Sequence, residues 1–68
     1  MAKTREQKLF GAAVLKASFL LREALDSPAF KVVYPGVLRD LGLEDSEVDA
    51  FIAANREAVE KAARGQPG

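Results

Sequence analysis

Apolar residues from Leu9 to Leu25 recur at intervals of three and four, the period of an α-helix rather than a strand. On a helical wheel Leu9, Phe10, Ala13, Val14, Ala17, Leu20, Leu21, Ala24 and Leu25 form one broad stripe. Within it Phe10, Val14, Ala17, Leu21 and Ala24 have the four-three spacing of a packed seam. This predicts one long helix over residues 4–26. Thr4 caps it with Gln7 at capping-box spacing, and Asp26-Ser27-Pro28 ends it because the residue before a proline leaves the α region.

From residue 28 to 34 the pattern is ambiguous. Phe30, Val32 and Tyr34 alternate as in a strand, whereas Phe30, Val33 and Tyr34 suit two helical turns. A lone strand would need another subunit to pair with, so a helix is expected. Ser27 and Pro28 have the residue types that open one. Pro35 is expected to end it, with a third helix at 36–41 stopped by Gly42. The last helix is expected over about 45–64. Ser46 and Asp49 stand at capping-box spacing, and Glu44, Asp45 and Glu47 suit the positive end of the helix dipole. Val48, Ile52, Asn55, Val59 and Ala62 would form its inward stripe, widened by Phe51, Ala58 and Ala63. The expected architecture is all-α: long helix, two short helices, long helix, in one domain at 1–64 completed by dimerisation, with a flexible tail at 65–68.

Two features of this pattern point outward. Leu15 and Phe19 lie four residues apart on the otherwise polar side of the first helix, next to Ala12. Exposing two large apolar side chains is a large loss for a domain this small, because burying each contributes about 1.5–3 kcal/mol. They therefore need a cover, either the apolar middle segment or another chain. The expected partner surface is Ala12, Leu15, Phe19, Phe30 and Tyr34. The second feature is Asn55, an amide on an apolar stripe, which must find hydrogen bonds or cost about 1–3 kcal/mol. It is expected to act as a structural pin on carbonyls near Tyr34–Gly36, or as a register-setting Asn across a symmetric helix pair.

Composition sharpens this reading. A chain of 68 residues with no Cys and no His buries only about 60% of its unfolded surface. It cannot add disulfides or an ordinary zinc site, so a protein partner is the stabiliser that remains. Absence of Cys fits a reducing compartment. Charges at Lys16, Arg22 and Glu23 interrupt any apolar signal core or membrane span, so a cytoplasmic protein with its N-terminus retained is expected. Ten basic and ten acidic residues cancel, but residues 1–39 carry a net +4 and residues 40–68 a net −4. The two halves can attract each other within one fold, or steer one chain to another.

Catalysis is not expected. One Thr, one Tyr and three Ser without His or Cys leave no nucleophile–base pair. No metal loop or phosphate-cradling glycine loop is present, so no metal and no cofactor are expected. The favoured function is a non-enzymatic helical interaction module: a homodimer, or a small subunit or regulator of a larger protein. Glu44, Asp45 and Glu47 would form an acidic second contact. The alternative is a small DNA-binding regulator, because residues 34–53 resemble a helix-turn-helix corner. Five acids between 40 and 49 make that corner repel phosphate, which would leave contact to Lys3, Arg5, Lys8 and Lys16. Nucleic acid is therefore not the expected partner.

Overall fold

A computed structural model describes residues 4–65. Four helices follow one another: α1 (Arg5–Leu21), α2 (Pro28–Leu41), α3 (Asp45–Ala54) and α4 (Arg56–Ala63). Among the described residues there is no strand, so 28–34 is helical. The fold is all-α, as its periodicity implies, but its breaks fall elsewhere than expected. Residues 66–68, most of the expected tail, lie outside the described residues.

The hub is α1, against which α2, α3 and α4 all pack. Its fully buried positions are Ala12, Ala13 and Ala17. Small side chains there let neighbouring helices approach closely, since the distance between helix axes follows the side chains at the contact. Tyr34 and Leu38 of α2, Leu43 of the turn, Val48 of α3 and Val59 of α4 complete the core.

Three helix boundaries correct the sequence reading. The first helix ends at Leu21, five residues early. Glu23 adopts φ 56°, its N–H donates to the Leu20 carbonyl at 3.0 Å, and the Ala24 N–H donates to the Phe19 carbonyl at 2.8 Å. This is a Schellman end built on a glutamate instead of a glycine. The same motif ends α2, where Gly42 has φ 69°. There the Gly42 N–H donates to Arg39 (3.2 Å) and the Leu43 N–H to Leu38 (2.9 Å).

The two expected middle helices are one, with Pro35 inside α2. An interior proline removes one ladder bond and crowds the carbonyl four residues back. Tyr34 and Leu38, both buried against the core on either side of it, hold the two halves in line.

The last expected helix is two, broken at Asn55 (φ −126°, ψ 36°). The Asn55 backbone N–H and side-chain Nδ2 both donate to the Phe51 carbonyl, at 2.9 and 3.1 Å. An Asn that bonds locally to backbone competes with the helix ladder, which accounts for the break. The start of α3 also shifts: the Glu44 N–H donates to Glu47 Oε1 at 3.0 Å, so Glu44 and Glu47 occupy the roles expected of Ser46 and Asp49. The capping box at Thr4–Gln7 (3.1 and 2.9 Å) and the N-cap at Ser27 (3.3 Å from the Phe30 N–H) form as expected.

Candidate functional site

Most of the expected partner surface lies inside the chain. Ala12 is fully buried, Tyr34 nearly so, and Leu15 and Phe30 pack against the core. Phe19 contributes to a column of rings joining α1 to α2. Phe19 and Phe30 lie 5.1 Å apart between centroids, and Phe30 and Tyr34 stack at 4.8 Å and 14°. Arg22 covers the Phe19 end at 5.4 Å and Lys16 the Tyr34 end at 5.5 Å. Both distances lie within the range of a cation–π contact. The cover for Phe19 is thus Phe30 of the middle segment, and Leu15 packs against the core of the same chain.

The column ends in a charged clasp. Tyr34 donates its hydroxyl to Asp45 Oδ1 at 2.6 Å. Lys16 donates to the same oxygen at 2.9 Å and to Asp49 Oδ1 at 2.6 Å. One lysine and one tyrosine therefore tie α1 and α2 to the start of α3. Burial and the Asp45 carboxylate hold the Tyr34 phenol well above its ordinary value. Burial opposes the charge on Lys16, but Asp49 and Asp45 outweigh it and raise its pKa. Tyr34 and then Lys16 hold the Asp45 carboxyl below the usual carboxylate range. At the other end of α1, Arg5 pairs with Glu47, whose carboxyl is lowered by that guanidinium and by the Glu44 N–H.

These pairs bear on two expectations. Of the acidic contact, Asp45 and Glu47 are engaged within the chain and Glu44 stays exposed. The opposite charges of the two halves meet inside one fold. Of the cations considered for DNA, Arg5 and Lys16 are committed to carboxylates, Lys8 has no carboxylate partner among the described residues, and Lys3 lies outside the described residues.

Asn55 is no buried pin. It is exposed at the α3–α4 junction and bonds to Phe51, not near Tyr34–Gly36. With Glu6, Gln7, Phe10, Phe51 and Ala58 it lines an open groove of about 330 Å³. Phe10 and Phe51 form its floor, edge to face at 6.2 Å and 74°. Asn55 Nδ2 donates to the Phe51 carbonyl, and Glu6 lines the same groove. Ala58 also borders a second, larger groove along α4 of about 560 Å³, lined by Glu57, Glu60, Lys61 and Arg64.

The apolar surface left outside is different from the one expected. Phe10 (36% exposed), Leu20 (47%), Leu21 (42%), Val32 (74%) and Val33 (46%) are the large hydrophobic residues that remain in solvent. Phe10, Leu20 and Leu21 belong to the stripe read as ordinary core. Nothing in the periodicity separates the covered edge of a broad stripe from its uncovered edge. The groove was missed because it needs the break at Asn55. The signal for that break was the amide itself, which favours local backbone bonds over a helix interior.

Among the described residues no helix is long and apolar enough to cross a membrane. No family model matches the chain, and no curated protein or solved structure matches it.

Proposed function

We propose that the protein is a non-enzymatic helical interaction module, working as a homo-oligomer or as a small subunit or regulator of another protein. The observation that carries this reading is the apolar surface of Phe10, Leu20, Leu21, Val32 and Val33, left exposed while the fully buried part of α1 is alanine. Single exposed apolar residues are ordinary. Five large ones on a chain of 68 residues, divided between the groove beside Phe10 and the outer face of α2, support faces kept for contact. The side chains free of internal partners are suited to docking rather than chemistry.

The test is the size of the assembly in gently lysed cells. The wild-type chain should migrate well above its 7.3 kDa, and the Phe10→Ser/Val32→Ser variant should move toward the free chain. Migration of the wild type at free-chain size would sink the reading.

A further inference from the structure

The groove carries an acidic side chain and the outer face of α2 carries cations, and the two lie on opposite sides of α1. Phe10 and Phe19 are nine residues apart on α1, two and a half turns at 3.6 residues per turn, so they point in opposite directions. Phe10 floors the groove with Phe51. Phe19 faces Phe30 of α2, and the outer face of α2 lies beyond it.

That outer face is a narrow apolar ridge with cations beside it. Phe30, Tyr34 and Leu38 turn inward, so Val32 points away and is the most exposed large apolar residue, at 74%. Gly36, one turn on, has open space around it, so nothing bulky shields Val32. Lys31 and Arg39 flank the ridge, and neither has a carboxylate partner among the described residues. The groove offers the opposite. Phe10, Phe51 and Ala58 line it together with Glu6, and Glu57 lines the adjoining groove that shares Ala58. Neither glutamate has a cationic partner among the described residues.

Resting on the reading of the chain as an interaction module, we propose that its occupant is a second copy of the same chain. The Val32 ridge of α2 in one copy seats in the Phe10–Phe51 groove of the next, with Lys31 and Arg39 against Glu6 and Glu57. A contact between two different patches is heterologous and repeats head to tail. Opposite placement of the patches leaves each joined pair with one free groove at one end and one free ridge at the other. The contact is small, so the association is weak and reversible. It also depends on charge, so salt weakens it.

Sedimentation equilibrium over about a hundredfold range of concentration tests this. The weight-average mass of the wild type should rise with concentration to at least twice 7.3 kDa and fall back in about 1 M salt. Ala58→Gln fills the groove from an exposed position and Val32→Glu spoils the ridge. Each alone should weaken association about tenfold or more while circular dichroism stays unchanged. An equimolar mixture of the two holds one intact groove and one intact ridge, and should form a dimer that does not grow. Lys31→Glu is a second ridge variant that should behave as Val32→Glu does. A wild type that stays monomeric throughout overturns the proposal and leaves the wider reading to a different partner. A salt-insensitive closed dimer, or a mixture that stays monomeric, also overturns it.

Discussion

The two sides of α1 each meet an aromatic residue from another helix, and only one side is closed. On the Phe19 side the ring joins Phe30 and Tyr34 in a column, Arg22 and Lys16 cover its ends, and the terminal hydroxyl is bonded to Asp45. On the Phe10 side the ring meets Phe51 edge-on and a groove stays open beside it. Local composition does not set this difference, because both are phenylalanines on one helix. It is set by what the neighbouring helix brings. Helix α2 runs 14 residues without a break and lays two turns of aromatic surface on α1. Helices α3 and α4 turn at Asn55, and the corner leaves a gap.

The strongest way to break this comparison is to truncate the two phenylalanines. Phe19→Ala should destabilise the chain by about 3 kcal/mol, near the low end of measured Phe→Ala losses in cores, because it opens the column between α1 and α2. Phe10→Ala should cost about 1–2 kcal/mol, since over a third of that side chain already meets water. Urea unfolding followed by circular dichroism measures both. Equal losses would mean that the groove side is as closed as the other.

This asymmetry explains how much could be read from the sequence. The helical class, the Thr4 and Ser27 caps and the stop at Gly42 follow from local chemistry, where a few neighbouring residues decide the outcome. The early end of α1 does not, because Glu23 in a left-handed conformation goes against its own preference and is held by the Schellman bonds around it. The continuity of α2 through Pro35 is also a tertiary effect, held by burial of Tyr34 and Leu38. Leu15 and Phe19 were rightly seen to need a cover, but the choice between this chain and another depended on the length of α2. With Pro35 taken as a helix end, the middle segment and another chain both stay open as that cover. The groove was least legible, because it forms where two helices turn and not along either one.

The polar end of the closed side gives a smaller effect. Tyr34→Phe keeps the ring column and removes the hydrogen bond to Asp45. A hydrogen bond to a charged group is worth about 1.5–3 kcal/mol, and exposure of Asp45 places the expected loss near the low end. In a double-mutant cycle with Asp45→Asn the two losses should fall short of additive, as they do for groups sharing one interaction. Full additivity would show that the bond contributes nothing.

The two Schellman ends compare a glutamate and a glycine in the same backbone role. Glu23 closes α1 next to the ring column at φ 56°, and Gly42 closes α2 at φ 69°. Glu23→Gly relieves a left-handed non-glycine residue, worth about 1–2 kcal/mol, against about 0.4–1 kcal/mol of added freedom in the unfolded chain. The net expectation is stabilisation by about 0.5–1 kcal/mol. Gly42→Ala should destabilise by a comparable amount, although a Cβ there would meet no atom within 4 Å. If both changes prove neutral on thermal unfolding, the φ values do not represent stored strain.

Near neutral pH the charges of the clasp are expected to matter least and to show themselves mainly at the extremes. Asp45 and Asp49 are more than half exposed, and exposed ion pairs contribute about 1 kcal/mol or less, so Lys16→Gln should cost no more than that at pH 7. The pH dependence is more informative. The carboxyls of Asp45 and Glu47 are lower in the folded chain than their ordinary values of 3.8 and 4.5. Their stabilisation is present above those values and is lost as pH falls through the lowered ones. Tyr34 and Lys16 are raised above ordinary values of 10.0 and 10.5, so their contribution is present below about pH 10 and is lost as pH climbs beyond it. Tyr34 is the only tyrosine, so phenolate absorbance reports this site alone. It should appear above pH 10 together with loss of helix by circular dichroism. Lys16→Gln should bring that alkaline transition to lower pH and leave a shallower acid one. Phenolate forming near its ordinary value while the helices stay intact would show that the Tyr34 end of the column is open to water, as the groove beside Phe10 is.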